Sequence, residues 1–161
     1  MRVAVFNGPN LNLLGIREPE IYGTTTLAEI EARLEEVGAE LGVTLLFSQF
    51  NDEGRMLDAI HNCRGVVDAC LVNAGAWTHT SLALRDAFAG VQLPYVEVHL
   101  SNIYAREPER RHSWLAPGAI AIVAGFGADG YELALRGLVK AIHVRRSSGA
   151  RVEELGDAIE G

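Results

Sequence analysis

Hydrophobic and polar positions follow two different rhythms along the chain. Short continuous apolar runs, typical of buried strands, alternate with longer stretches. In these stretches apolar residues recur every three or four positions, as on one face of a helix. The alternation is regular from the first residues to about residue 145. It predicts strands at 2–6, 43–47, 69–72, 95–100 and 119–124, and helices at 27–41, 53–63, 81–89 and 128–145.

Start and stop signals frame several of these helices. Thr26 followed by Glu29 is typical of a capping box, in which each side chain satisfies the other residue's backbone N–H. Gly42 is suited to end the same helix, because glycine accepts the left-handed backbone of a helix end. Thr80 is expected to cap the helix at 81–89. The segments 11–25 and 101–118 carry no such pattern and are expected to be loops.

Continuous apolar strands that alternate with amphipathic helices indicate a parallel sheet covered on both faces. Five strands in a chain of this length favour an α/β flavodoxin-like three-layer sandwich with strand order 2-1-3-4-5. In that architecture ligands bind at the carboxyl ends of the strands, here between the first and third strands. One domain is expected over 1–146, followed by an acidic, flexible tail over 147–161.

Composition and charge narrow the function classes. The chain has 161 residues and a formal net charge of −7, which disfavours broad attraction to nucleic acid or anionic membranes. Its apolar runs are far shorter than the roughly 18 residues that a membrane helix needs, and no signal-peptide pattern opens the sequence. Cys63 and Cys70 lie in apolar stretches and are expected to be buried free thiols. A reducing, cytoplasmic location is therefore expected.

Polar residues gather where the predicted strands end. Asn7 and Asn10 follow the first strand and Asn73 ends the third, so their side chains are expected at the predicted ligand site. The alternative is that these asparagines only turn the chain.

Glu97 and His99 lie two apart on the fourth strand and therefore share a face of the sheet. A carboxylate beside an imidazole fixes its tautomer and favours the protonated ring, as a general acid near neutral pH requires. A solvated edge strand is the alternative for this pair.

Three further residues are candidates for chemistry. Tyr22 lies in the 11–25 loop with Arg17, and a guanidinium held near a phenol would lower its pKa and make it a usable base. A surface loop with one aromatic anchor explains the same spacing. His79 stands just before a predicted helix start, where backbone N–H groups favour anions, although a surface histidine is equally consistent. The five histidines have no metal-ligand spacing, so no metal is expected.

Several motifs, in order and without large gaps over about residues 1–143, resemble those of the type II 3-dehydroquinate dehydratases. They are NGPNLNLLG at 7–15, REP at 17–19, YG at 22–23, NAG at 73–75, THTS at 78–81, RDA at 85–87, EVHLSN at 97–102, Arg106, and RRHS at 110–113. The resemblance implies dehydration of 3-dehydroquinate to 3-dehydroshikimate in the shikimate pathway, without a metal or organic cofactor. It also implies a flavodoxin-like subunit in a dodecamer built from trimers.

By motif position, the resemblance assigns Tyr22 as the proton acceptor and Arg17 as its activator. His99 would be the proton donor, held by Glu97, and Asn10 would stabilise an enolate through a water molecule. The residues that would hold the substrate are Asn73, His79, Leu100, Ser101 and Arg110, with Asp86 reaching the site of a neighbouring subunit.

The other class of dehydroquinase forms a lysine imine. The sole lysine, Lys140, lies in the last predicted helix, away from every strand end named above, so an enolate route is expected instead.

The competing hypothesis is a flavodoxin-like binding module for a nucleotide or an anionic metabolite, which leaves the Arg17 and Tyr22 loop unexplained. Three residues depart from the family pattern: Phe50, Asp52 and Trp77.

Overall fold

Five parallel strands form one sheet in the computed structural model, which describes residues 1–16 and 24–160, with side chains as far as residue 148. The strands are β1 (Arg2–Asn7), β2 (Thr44–Gln49), β3 (Ala69–Asn73), β4 (Tyr95–His99) and β5 (Ala121–Ala124). Their order across the sheet is β2-β1-β3-β4-β5, which confirms the predicted flavodoxin-like order. β1 therefore pairs with both β2 and β3, and the carboxyl ends of β1 and β3 meet at Asn7 and Asn73.

Within the described ranges, four α-helices pack on the sheet: α1 (Leu27–Leu41), α2 (Glu53–Asn62), α3 (Leu82–Val91) and α4 (Asp129–Glu160). The predicted capping box of α1 is present, since the Thr26 side chain accepts from the Glu29 N–H and the Glu29 carboxylate accepts from the Thr26 N–H. The predicted cap of α3 at Thr80 is wrong. Ser81 caps the helix instead, because Thr80 still belongs to the end of the preceding 3-10 turn and the Ser81 hydroxyl accepts from the Leu84 N–H.

The core has two layers because side chains alternate along each strand. On β1, Val3 and Val5 face α1 and α4, whereas Ala4 and Phe6 face α2 and α3. Both faces are therefore covered, as the continuous apolar strands predict. Cys63 and Cys70 are free and buried in the second layer, where burial raises the pKa of both thiols.

The last helix is longer than the predicted 128–145. α4 continues to Glu160 and so includes most of the segment expected to be a tail. No proline interrupts residues 147–160, and their Ala, Glu and Leu residues are good helix formers. The boundary of the domain at residue 146 stays a prediction. Within the described residues, no helix combines the length and apolar character needed to cross a membrane.

Phe50, Asp52 and Trp77, the three residues expected to be unusual, each have a local structural role. Phe50 packs edge-on against Phe6, with ring centroids 5.6 Å apart. Asp52 caps α2 by accepting from the Arg55 N–H at 2.8 Å. Trp77 is partly buried against the second core layer. Local packing or capping therefore accounts for each of the three side chains.

The turns after β1 and β3 lie against each other at the carboxyl edge of the sheet. A Cβ atom on Gly8 would stand only 2.3 Å from the Ala74 carbonyl oxygen, so only glycine fits there. The Gly8 N–H donates to the Asn73 carbonyl oxygen at 2.7 Å. Asn10, two residues later, has the left-handed backbone with φ 67°. This close approach fixes the floor of a cavity between the two turns.

Candidate active site

A cavity of about 190 Å³ opens at the carboxyl ends of β1, β3 and β4. This is the place where the predicted topology puts a ligand site, because the winding of the sheet reverses between β1 and β3. Its walls combine short polar side chains, two histidines, two arginines and a few apolar residues. They are Pro9, Asn10, Leu11, Leu14, Asn73, Gly75, Ala76, His79, His99, Leu100, Ser101, Ile103, Arg106 and Arg110.

Most of the predicted site residues meet in this cavity. The residues that line it are Asn10, Asn73, His79, His99, Leu100, Ser101 and Arg110, and Glu97 lies behind His99. Asp86 is not among them, because it is exposed on α3 and lines a separate groove between α2 and α3. Arg17 and Tyr22 lie outside the described residues. The alternative of a solvated edge strand is wrong, because β4 is buried and lies between β3 and β5. Asn10 and Asn73 line the cavity, whereas Asn7 is buried and does not line it.

Glu97 and His99 form a buried pair at the end of β4. The Glu97 side chain is 0% exposed and that of His99 is 6% exposed. His99 Nε2 lies 2.7 Å from Glu97 Oε1, which makes this ring nitrogen a donor to the carboxylate. The other nitrogen, Nδ1, is thereby left for a bound molecule, and a proton on it would make the ring a general acid.

Two hydroxyl groups from distant segments complete the environment of Glu97. Thr78, which follows β3, donates to Oε1. Ser113 lies 2.8 Å from both carboxylate oxygens, and its oxygen accepts from the N–H groups of Leu115 and Ala116. Because both backbone groups donate to Ser113, its own proton is directed to Glu97.

The protons around Glu97 all point toward it, so the carboxylate is held in its ionised form. Burial alone raises the pKa of Glu97, but the hydrogen bonds and charge of His99 and the hydrogen bonds of Thr78 and Ser113 outweigh burial and lower it. The ionised carboxylate accepts from Nε2 and so holds the orientation of the His99 ring. Thr78 and Ser113 belong to the THTS and RRHS motifs, but the sequence assigns neither a role, since neither lies in a periodic stretch that fixes its direction.

The hydroxyl groups that hold Glu97 give a pH-dependent prediction. Ser113→Ala is expected to lower the free energy of unfolding by about 1–3 kcal/mol near pH 7, because a buried charge loses a donor. Folding lowers the pKa of Glu97, so the stabilisation that its ionised carboxylate gains from Ser113 is fully present above the unfolded-state pKa. It is lost as pH falls through the folded-state pKa. The deficit of the variant should therefore shrink in acid. Urea unfolding between pH 7 and pH 3 measures it.

A matched control is Ser81→Ala, which removes another buried serine hydroxyl that makes a backbone contact. That substitution should cost about 0.5–2 kcal/mol as the loss of a helix cap. Its cost should not change with the protonation of Glu97. Equal pH dependence of the two variants would show that Ser113 does not stabilise the Glu97 charge.

His79 faces the cavity in a defined tautomer. Its Nδ1 lies 2.7 Å from the His112 carbonyl oxygen, which can only accept, so Nδ1 carries the proton. Burial first, and then the positive charges of His99 and Arg110, lower the pKa of His79. The neutral ring then has its lone pair on Nε2. His79 and His99 are nearly parallel, with ring centroids 6.4 Å apart.

Two arginines give one side of the cavity a positive charge. Arg110 binds Glu107 through Nε at 2.5 Å, and Arg106 binds the same carboxylate at 3.3 Å. A backbone hydrogen bond, the Arg110 side chain and Arg106 together lower the pKa of Glu107 to about 2. Arg106 Nη1 also lies 3.5 Å from the Ser101 hydroxyl. A guanidinium beside a hydroxyl group suits a small carboxylate.

The Asn10 turn is held in place from β2. The Asn10 N–H donates to Asn51 Oδ1 at 2.9 Å, and Gln49 Nε2 donates to the same oxygen at 3.0 Å. Gln49 also reaches the Gly8 carbonyl oxygen. Asn51 therefore fixes the backbone that presents the Asn10 side chain at the cavity. Sequence reasoning did not select Asn51, although it follows a strand end as Asn10 and Asn73 do.

The arrangement suits an elimination from a small polyhydroxylated acid. It offers a candidate acid at His99, neutral and cationic donors for a developing oxyanion, and a positive wall for a carboxylate. None of the described residues that line the cavity is a lysine, and Lys140 is exposed on α4. An imine route through Lys140 is therefore not supported by its position.

Comparisons with known proteins agree with this chemistry. The family model for dehydroquinase class II matches residues 1–139. The chain is 61% identical over 150 residues to the 3-dehydroquinate dehydratase of Gemmatimonas aurantiaca, covering 93% of this chain and 99% of that protein. It is 56% identical to the one from Prochlorococcus marinus, over 86% of this chain and 96% of that protein. The crystal structure of the type II dehydroquinase from Propionibacterium acnes superposes with a TM-score of 0.82 at 44% identity, covering 86% and 96% of the two chains.

Proposed function

Because the chain belongs to the class II dehydroquinase family and dehydrates 3-dehydroquinate in the shikimate pathway, we propose that His99 is the proton donor and Tyr22 the proton acceptor of the elimination. The observation that carries the assignment of the acid is the buried contact between His99 Nε2 and Glu97. Tyr22 removes a proton next to the ketone and forms an enolate. His99, with a proton on each ring nitrogen, then protonates the leaving hydroxyl group through Nδ1.

Arg17 and Tyr22 are assigned by motif position, and the described flanks of their segment support the assignment. Leu14 lines the cavity. A Cβ on Gly15 would lie 2.9 Å from the Thr24 carbonyl oxygen, so the described residues on the two sides of this segment lie close together. Arg17 would lower the pKa of the Tyr22 phenol through its charge, which makes the phenolate available near neutral pH.

The remaining polar residues of the cavity are proposed to bind the substrate. Asn10 stabilises the enolate oxygen through a water molecule, as a donor near a developing negative charge does. The residues that hold the hydroxyl groups and carboxylate are Asn73, His79, Leu100, Ser101 and Arg110, all of which line the cavity. The reaction as proposed needs no metal or organic cofactor, because a base, an acid and oxyanion donors balance every proton.

An absorbance assay tests this function. The product is a conjugated enone, so turnover appears as ultraviolet absorbance when 3-dehydroquinate is added to the purified chain. Family membership favours this activity over the alternative of a non-catalytic binding module for a nucleotide or anionic metabolite. Borohydride added with substrate should leave subunit mass and activity unchanged, because no imine forms. A covalent adduct on Lys140 would overturn the enolate route.

Asp86 bears on the proposed assembly. Its exposed position on α3, away from the cavity of its own chain, supports a role in the site of a neighbouring subunit. We propose a dodecamer built from trimers. Asp86→Ala and His99→Ala subunits, each weakly active alone, should regain activity when they are refolded together, because some mixed sites then combine an intact Asp86 with an intact His99. Light scattering should give a mass far above 17.4 kDa. A fully active monomer, or no recovery on mixing, would contradict the shared site.

The cytoplasm is the proposed compartment. The two free cysteines support it, since thiols persist in reducing surroundings.

A further inference from the structure

Tyr131, in the first turn of α4, is fully buried, yet its hydroxyl reaches the carboxyl edge of the sheet. The ring is 1% exposed among the apolar residues of the first core layer. The hydroxyl donates to Asn7 Oδ1 at 2.6 Å and accepts from Asn73 Nδ2 at 2.9 Å. Burial raises the pKa of the phenol, so it keeps its proton at neutral pH.

The protons in this cluster fix the orientation of the Asn73 amide. The Gly75 N–H donates to Asn73 Oδ1 at 3.2 Å, which identifies the oxygen side of the amide. The phenol has given its single proton to Asn7, so toward Asn73 it can only accept. One Nδ2 hydrogen is thereby bound to Tyr131, and the second is left for the cavity that Asn73 lines.

The same cluster contains one more donor than its partners can use. Asn7 Nδ2 is buried and has no hydrogen-bond partner among the described residues. Rotating the Asn7 amide would leave the phenol proton unpaired instead, so the deficit cannot be removed locally. Buried donors without partners cost free energy and are rare in folded proteins. Here the unpaired Asn7 donor is retained in a cluster that also fixes the Asn73 amide. A destabilising feature of this kind is typical of a functional site rather than of a core.

We propose that Tyr131 is a positioning residue for substrate binding, which acts through Asn73 by holding its amide so that one N–H points into the cavity. The inference rests on the proposed role of Asn73 in binding the substrate. The group that this N–H selects must be a hydrogen-bond acceptor, such as an oxygen of the substrate carboxylate. Without the phenol, only the long hydrogen bond from the Gly75 N–H still orients the amide. The amide then turns more easily, and its oxygen repels the acceptor when it faces that group.

The test compares two buried tyrosines whose hydroxyl groups both donate a hydrogen bond inside the protein. Tyr131→Phe should raise KM for 3-dehydroquinate about tenfold, the value of one ordinary hydrogen bond, while kcat changes by less than about threefold. Tyr95→Phe is the matched control. Tyr95 is 3% exposed, and its hydroxyl also makes a buried hydrogen bond, to the Leu115 carbonyl oxygen, away from the cavity. Both variants should lose thermal stability, but only Tyr131→Phe should show the change in KM.

A double-mutant cycle separates this inference from the proposed function. If Tyr131 acts through Asn73, KM of the variant with both Tyr131→Phe and Asn73→Ala should equal that of Asn73→Ala alone. If Asn73→Ala leaves KM unchanged, the proposed substrate contact itself is wrong. If Asn73→Ala raises KM and Tyr131→Phe does not, only the positioning role is wrong. Should Tyr131→Phe fail to fold, Asn7→Ala removes the acceptor that orients the phenol, and an unchanged KM in that variant overturns the inference.

Discussion

Replacing His99 with alanine is expected to lower kcat about 10²- to 10⁴-fold, the usual contribution of a general acid. The expectation follows from the His99 contact with Glu97, which is ionised and holds one ring nitrogen while the other is left for the leaving hydroxyl. KM should change far less, because Asn73, Ser101 and Arg110 still line the cavity. Initial rates from the enone absorbance over a range of 3-dehydroquinate concentrations measure both constants.

A second histidine variant controls for the loss of an imidazole as such. His143 is exposed on α4 and does not line the cavity, so His143→Ala should keep kcat and KM. Near-normal turnover of His99→Ala would mean that another group protonates the leaving oxygen. In that case Glu97→Gln should also leave kcat nearly unchanged, because the His99 ring that Glu97 orients would not be the general acid.

Replacing Tyr22 with phenylalanine is expected to abolish turnover, with a loss of kcat at least as large as that for His99→Ala. The substitution keeps the aromatic ring and removes the oxygen that accepts the proton, so most of the binding should survive. The rival base among the described residues is His79, whose neutral ring keeps a lone pair on Nε2. If His79 only binds a substrate hydroxyl, His79→Ala should mainly raise KM. The reverse pattern, with an active Tyr22→Phe and an inactive His79→Ala, would move the base to His79.

The pH dependence of Arg17→Ala refines this prediction. Without the guanidinium, the pKa of Tyr22 should return toward its reference value of about 10. The variant should then be nearly inactive at neutral pH and recover as pH rises and the phenol ionises. Rates measured from neutral pH into the alkaline range test this. A profile parallel to that of the wild type would show that Arg17 does not tune the base.

The fold was predictable because its signals are periodic and local. Short continuous apolar runs such as 69–72, too short for a helix, indicate strands buried on both faces, and the stripe of α1 with its capping box fixes one helix almost completely. The boundaries were less certain. Thr80 and Ser81 are both good caps by residue type, and only the backbone of the preceding 3-10 turn decides between them.

The site was predictable to the extent that strand ends carry it. Asn73 and His99 follow from the rule that ligands bind at carboxyl ends, and the family motifs supply the rest of the lining. The roles of the supporting side chains could not be found this way, although Asn7 and Ser113 fall within the family motifs. Ser113 lies in a segment without periodicity, and Tyr131 occupies an apolar position of an amphipathic helix, where an aromatic residue indicates packing alone. Its partner Asn7 is 124 residues away, so their hydrogen bond depends on the tertiary fold.

The strand order also sets when this enzyme can mature during its own synthesis. β1 leaves the ribosome first, yet it is flanked by β2 and β3, so it has no partner until residues 44–49 and 69–73 have followed. Parallel pairing across such crossovers is slow to form, because the intervening chain must be ordered first. At about 5–20 residues per second, Ser113 follows Glu97 within a few seconds, whereas the 124 residues between Asn7 and Tyr131 take roughly 6–25 seconds. During that interval the nascent chain exposes unpaired apolar strands, and its need for chaperone protection should end when α4 covers the sheet.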